Sequence, residues 1–187
     1  MLVLGDSLSA AYGINPNDGW VALLAARLAR EGHAHQVVNA SISGETTSGG
    51  LRRLPALLEA HHPAAVIIEL GANDGLRGID LREIRHNLEA LLRLVTDSGA
   101  RPFVVRMEVP PNYGPEYTQG FKAIYDSLSD SSPELVLVPF FLMDVILEPG
   151  LMQADGLHPT AEAQPRLLAT VWPRLAGHLA SHDLEHP

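Results

Sequence analysis

The chain has 187 residues, of which 46% are hydrophobic and 19% charged, with a formal net charge of −9. That balance suits one globular domain spanning 1–187 and argues against disorder over most of the length. It offers no basic face for a nucleic acid, and the absence of cysteine excludes disulfides, thiolate nucleophiles and zinc–thiolate sites.

Residues 2–4 form the first strand candidate. Met1 runs straight into this strand, so residues upstream of it are expected in the natural chain. Asp18 is placed to cap a helix presenting Trp20, Leu23, Leu24 and Leu28, an i, i+3, i+4, i+8 stripe that Gly32 ends. Val37-Val38 reads as a short strand. Leu51, Leu54, Leu57 and Leu58 follow helical spacing. Residues 66–70 are a nearly continuous β-branched run, as in a strand covered on both faces.

Asp80 caps the clearest helix, with Leu81, Ile84, Leu88, Leu91, Leu92 and Val95 on one stripe and Gly99 as its stop. Residues 103–109 are the fourth strand. Phe121, Ile124, Tyr125 and Leu128 mark the next helix, and residues 135–138 the fifth strand. The last helix carries Leu167, Leu168, Val171, Trp172 and Leu175, with Pro165 and Pro173 expected to bend or delay it. A strand–helix unit repeated five times predicts an α/β protein with a parallel sheet and helices on both faces. No apolar run approaches the roughly 20 residues of a membrane-spanning helix, and no polybasic cluster suggests an anionic membrane surface.

In such a sheet, ligands bind at the carboxyl ends of the strands. Gly5-Asp6-Ser7-Leu8-Ser9 follows the first strand, Asn39-Ala40-Ser41-Ile42-Ser43-Gly44 the second and Gly71-Ala72-Asn73-Asp74 the third. Asp155-Gly156-Leu157-His158-Pro159 comes after the fifth. Together they supply a hydroxyl, glycine amides, a carboxamide and an acid–imidazole pair, the set that acyl transfer needs. A serine hydroxyl becomes a nucleophile when a base accepts its proton. An acid must hold the imidazole in the right tautomer, and Asp155 and His158 lie three apart on one loop. The tetrahedral intermediate needs donors, each worth roughly 3–4 kcal/mol. Ser7 N–H, expected at a helix start, Gly44 N–H and the Asn73 amide are the candidates.

Each motif alone has an ordinary structural reading: a turn and cap for Gly-Asp-Ser, a turn glycine, a loop, a helix cap for Asp-x-x-His. Their joint fall at one sheet edge is what points to chemistry. Among the other histidines, His33, His35, His61 and His62 read as surface or loop, and His86, His178, His182 and His186 as exposed helix or tail positions. Glu69 reads as a buried, hydrogen-bonded carboxylate, and Ser9, Ser41 and Ser43 as turn or cap serines. No metal site and no cofactor are implied.

Gly5-Asp6-Ser7-Leu8-Ser9, Gly44, Gly71-x-Asn73-Asp74 and Asp155-x-x-His158-Pro159 resemble, in order and interval, the four motifs of the SGNH (GDSL-type) hydrolases. Residues 39–44 and 75–78, Pro111-Asn112-Tyr113-Gly114 and Pro139-Phe140-Phe141 are similar to the bacterial arylesterase, thioesterase I and lysophospholipase L1 subgroup. The resemblance implies a three-layer flavodoxin-like sandwich with strand order 2-1-3-4-5. It implies a Ser7–His158–Asp155 triad and an oxyanion hole of Ser7, Gly44 and Asn73. The loops 75–80 and 110–114 would border an acyl groove, with Leu76, Ile79, Glu108, Pro111 and Tyr113 as groove residues. Glu108-Val109 stand where the thioesterase I type carries a basic residue and leucine, so a Glu108 facing the groove would disfavour anionic substrates such as acyl-CoA. The implied partner is a small-molecule acyl ester, without stable membrane insertion, and the implied location is the periplasm or exterior of a bacterium.

The expected activity is hydrolysis of carboxylic esters with short to medium acyl chains, including aryl esters and extending to thioesters or lysophospholipids. A carbohydrate O-deacetylase is the enzymatic alternative, which apolar Leu76, Ile79 and Tyr113 disfavour. A flavodoxin-like binding module is the non-enzymatic one. A receiver-type module would need clustered acids after the first strand and a lysine after the fifth, whereas Asp6 stands alone and Lys122 precedes the fifth strand. No G-x-G-x-x-G or P-loop pattern occurs, nor the G-x-S-x-G of an α/β-hydrolase.

Overall fold

The computed structural model describes residues 1–182. Five parallel strands form one sheet in the order β2-β1-β3-β4-β5: β1 (Leu2–Gly5), β2 (Val38–Asn39), β3 (Ala65–Glu69), β4 (Arg101–Val105) and β5 (Val136–Val138). The helices are α1 (Trp20–Arg30), α2 (Thr47–His61), α3 (Ala72–Leu76), α4 (Leu81–Asp97), α5 (Pro115–Ser131) and α6 (Gln164–His182). The expected fold class and strand order are those observed. β1 and β3 are buried along their whole length, which is why their sequences show no polar alternation.

The strand order reverses between β1 and β3, with Leu2 opposite Val38 on one side and Val66 on the other. This switch point opens a crevice at the strands' carboxyl ends. The core fills both faces of the sheet. Trp20, Phe103, Phe121 and Tyr125 are fully buried, along with Leu88 and Leu91 of α4. Each such side chain contributes about 1.5–3 kcal/mol of transfer free energy.

Helix ends follow local chemistry in two places. Asp80 caps α4 by accepting from Arg82 N at 2.8 Å. Thr46 caps α2 by accepting from Gly49 N at 3.2 Å. At α1 the expected cap is replaced. Asp18 closes a 3-10 turn, Gly19 is the N-cap, and the Trp20 N–H donates to Gln164 Oε1 on α6 at 3.0 Å. That partner is 144 residues away, beyond any local pattern.

The fourth strand is also corrected, to Arg101–Val105 from the expected 103–109. Its ladder ends where its neighbour does: Val105 pairs with Val138, and Arg106 N donates to Val138 O. Met107, Glu108 and Val109 then leave the sheet, a boundary that apolar content alone does not mark. His178, expected exposed, is buried with its ring edge-on to Phe103 at 5.5 Å. His61, His62 and His86 are exposed, while His33 and His35 are half-buried with ring centroids 6.4 Å apart. The His182 side chain and His186 lie outside the described residues.

Candidate active site

Ser7 sits in the turn that leaves β1. The expected helix start is not there. Ala10 N donates to Asp6 O and Tyr12 N to Ser7 O, closing successive turns, and the next α-helix begins only at Trp20. No helix dipole therefore points at Ser7. Asp6 organises the turn, its Oδ1 accepting from Leu8 N at 3.0 Å.

Ser7 Oγ lies 2.8 Å from His158 Nε2, and His158 Nδ1 lies 2.7 Å from Asp155 Oδ2. With the imidazole proton on Nδ1, Nε2 is free to accept from Ser7. The other carboxylate oxygen, Asp155 Oδ1, accepts from Leu157 N at 2.9 Å and His158 N at 3.0 Å. The His158 N–H first, then the imidazole, then the Leu157 N–H lower the Asp155 pKa to about 2. The acid is thus ionised throughout the neutral range.

Gln153, which the sequence did not single out, joins the two loops. Its Nε2 donates to Tyr12 O at 2.8 Å and to Pro159 O at 3.0 Å, and its N–H donates to His158 O at 2.7 Å. The serine turn and the histidine loop, 151 residues apart, are pinned together by one side chain. Tyr12 adds a ring contact to His158.

Asn73 occupies the first turn of α3, a helix the sequence reading treated as loop. Gly71 caps it at φ +116°, and a Cβ there would collide with the Tyr125 hydroxyl, so glycine is required. Asn73 Nδ2 donates one hydrogen to Asp6 Oδ2 at 2.8 Å. Its second N–H remains for another acceptor. Next to it, buried Asp74 accepts from Thr47 N at 2.9 Å and Thr47 Oγ1 at 2.5 Å, and Asn87 Nδ2 donates to Thr47 Oγ1. This network ties α3 to α2 and α4. Gly44 has φ +80°, and its carbonyl accepts from Arg77 Nη2 at 2.9 Å. The Ile42 N–H to Gly5 O bond fastens Gly44's loop to the end of β1. Neither Ser7 N–H nor Gly44 N–H has a hydrogen-bond acceptor among the described residues.

A cleft of about 350 Å³ opens beside Ser7. Of the expected groove residues, Leu76, Glu108 and Pro111 line it, as does Asn73. Ile79 and Tyr113 do not. Tyr113 Oη donates to the carbonyl of the lining residue Leu76 at 2.6 Å, and Ile79 O accepts from Tyr117 Oη at 2.8 Å, which ties the 75–80 loop to the start of α5. Leu8, Met107, Val109, Phe140, Leu142, Met143, Ile146 and Leu157 add to the lining. They were not expected in the groove because Met107 and Val109 read as strand and the others lie between elements, where no periodicity flags them. A wider hollow of about 760 Å³ along β5, bordered by Arg106, Lys122 and Arg174, contains none of the triad. Among the described residues, no three His, Asp or Glu side chains cluster as a metal site.

Residues 3–165 match the model of the GDSL-like lipase/acylhydrolase family. The chain is 51% identical to esterase TesA of Pseudomonas aeruginosa over 94% of its own length and 87% of the relative's. It is 48% identical to an arylesterase of Vibrio mimicus, over 96% and 89% of the two chains. With thioesterase 1/protease 1/lysophospholipase L1 of Escherichia coli it shares 42%, over 98% and 86%. Among solved structures it resembles the psychrotrophic esterase EstA of a Pseudoalteromonas species, inhibited by monoethylphosphonate. That match has 42% identity and a TM-score of 0.91 over 96% and 97% of the chains.

Proposed function

This chain belongs to the GDSL-like lipase/acylhydrolase family and is a serine ester hydrolase, and we propose that Ser7 is its nucleophile, His158 its general base and Asp155 the acid that orients the base. The observation that carries the assignment is the continuous relay from Ser7 Oγ through His158 to Asp155, with contacts of 2.8 and 2.7 Å, beside an apolar cleft.

In the cycle, His158 Nε2 takes the Ser7 proton as Oγ bonds to the ester carbonyl carbon. The carbonyl π electrons move to oxygen, and the oxyanion accepts from Ser7 N–H, Gly44 N–H and the free Asn73 N–H. Collapse expels the alcohol, which leaves with the proton from His158, and an acyl-Ser7 remains. Water attacks the acyl carbon as His158 takes its proton; the acyl–Oγ bond then breaks, His158 gives that proton to Ser7 Oγ, and the acid leaves. The original Ser7 proton departs with the alcohol and one from water replaces it, so ester and water give alcohol and acid.

The substrates we assign are carboxylic esters with short to medium acyl chains, aryl esters included, the acyl tail lying along Leu76, Val109, Phe140 and Ile146. The apolar lining supports an acyl tail over a sugar, and so this reading over carbohydrate deacetylation. Thioesters and lysophospholipids are second substrates of the same site, and the E. coli relative's name motivates testing them. We propose that the whole chain acts as one domain, and that it works in a bacterial periplasm. The relatives named above are bacterial, and no helix among the described residues is long and apolar enough to cross a membrane.

The test is hydrolysis of p-nitrophenyl acetate, butyrate and octanoate by the parent and by Ser7→Ala. The parent should turn over all three with a preference that sizes the cleft, and Ser7→Ala should lose about a thousandfold or more in kcat. Equal activity of the two proteins would remove Ser7 from the mechanism.

A further inference from the structure

A second acid lies buried behind the serine turn. Glu69 ends β3 directly opposite Gly5 of β1, and it is fully buried while Asp6 is 1% exposed. Glu69 Oε2 accepts from Ser9 Oγ at 2.7 Å and from Asp6 N at 3.2 Å. Glycine at position 5 leaves room for this, because a Cβ there would collide with Ser9 and the Glu69 carboxyl. Both Asp6 oxygens are engaged, one by Leu8 N–H and the other by Asn73 Nδ2. The remaining Glu69 oxygen, Oε1, is buried and meets no donor. The Asp6 N–H bond to the Glu69 carboxyl brings the two acids together at the buried β1–β3 seam, where each acts on the other's ionisation. Neither has an ion-pair partner among the described residues.

Two carboxylates in contact, without a cation and away from water, do not both stay ionised. One proton must be shared. The donors fall unequally: Asp6 receives from a backbone N–H and an amide that itself faces the reaction, and only Glu69 has an oxygen left without a partner. A proton on Glu69 Oε1, donated to Asp6, satisfies every polar atom of the pair.

We propose that Glu69 is a positioning residue that works as a neutral carboxylic acid, donating to the Asp6 carboxylate and thereby fixing Asp6 as the anionic acceptor that orients the Asn73 amide and the Ser7 turn. An ionised Asp6 is acceptor-only, so it selects the amide orientation in which nitrogen, not oxygen, faces the substrate. This inference rests on reading Ser7 N–H and Asn73 as oxyanion donors. Burial, followed by the charge of Asp6, pushes the Glu69 carboxyl well above the usual range. The other titratable groups around the pair are His158 across the cleft, the Tyr125 hydroxyl on α5 and Asp74 on α3.

The experiment compares parent, Glu69→Ala and Glu69→Gln on p-nitrophenyl butyrate, together with infrared spectra at neutral pH. Donors that act on the developing oxyanion affect kcat more than KM. Glu69→Ala should lose about 30-fold or more in kcat with KM within about threefold, part of the 10²–10³ cost of losing an oxyanion donor outright. Glutamine can accept at Oε1 from Ser9 and Asp6 N–H and donate from Nε2 to Asp6, so Glu69→Gln should restore kcat to within about fivefold of the parent. The parent should show a protonated-carboxyl C=O stretch that Glu69→Gln lacks. A Gln variant as impaired as Ala, or a parent without that band, overturns the proposal. If Glu69→Ala does not fold, the Gln variant and the band still decide. Failure of the underlying esterase reading would look different: a parent that turns over no ester, or one indifferent to Ser7→Ala, with the band unchanged.

Discussion

The Tyr12 ring packs against the His158 imidazole with centroids 4.5 Å apart and planes inclined at 40°. An aromatic face favours a cation, and in the proposed cycle His158 becomes cationic as it takes the Ser7 proton. On that reading the contact strengthens toward the transition state. Tyr12→Ala should lower kcat about 3- to 10-fold, the equivalent of about 0.5–1.5 kcal/mol of such an interaction, whereas Tyr12→Phe, which keeps the ring, should stay within about twofold. Steady-state kinetics on one neutral ester checks both; equal losses would assign the effect to the hydroxyl.

One Asn73 hydrogen is held by Asp6 Oδ2, which leaves a single N–H for the reacting oxygen of the proposed cycle. Asn73→Ala should cost about 10²–10³ in kcat while KM changes little, because the ground-state carbonyl carries less charge than the oxyanion. A loss confined to KM would make Asn73 a binding residue instead.

The low Asp155 pKa, about 2, fixes the shape of the acid limb. The depressed value means that Asp155 stays anionic until the pH falls through that range. Asp155 should therefore add no ionisation of its own to the pH profile of kcat/KM above that range. An acid limb that requires a relay carboxyl titrating near its ordinary value would contradict this.

Glu108 lines the cleft with a carboxylate. Its charge opposes an anionic leaving group through the low-dielectric wall. Glu108→Arg should raise kcat/KM for an acyl-CoA about tenfold relative to p-nitrophenyl butyrate. An unchanged ratio would show that Glu108 does not select against anions.

The buried pair also sets the direction of a stability change. Glu69 has a raised pKa in the folded state, so folding takes up a proton. Its contribution is fully present below the unfolded carboxyl value near 4.5 and is lost progressively as pH rises from there through the higher folded value. Thermal unfolding of the parent should shift to lower temperature as pH rises from about 4.5, and Glu69→Gln should show a shallower shift over the same interval. Parallel curves would mean that Glu69 is ionised in the folded protein at neutral pH.

Local chemistry wrote much of this protein into its sequence. The β-branched run through Val66 and Ile68 specified a strand buried on both faces, and Asp80 with the Ile84–Leu88–Leu91–Val95 stripe specified α4, because period and capping act within a few residues. The four motifs at the strand ends pointed to Ser7, Asn73, Asp155 and His158 because acyl transfer uses a nucleophile, a base with its acid and an oxyanion donor, whatever their order in the chain. Tertiary structure alone decided what depends on a distant partner. Gln164 displaced Asp18 as the acceptor at the start of α1, and the end of β5 set the end of β4. Gln153 joined the serine and histidine loops, Ile79 and Tyr113 fell outside the cleft lining, and Glu69 met Asp6 across the β1–β3 seam. Sequence spacing reports contacts along one element, and these are contacts between elements, set by where the sheet ends, which loops meet and how much water remains between them.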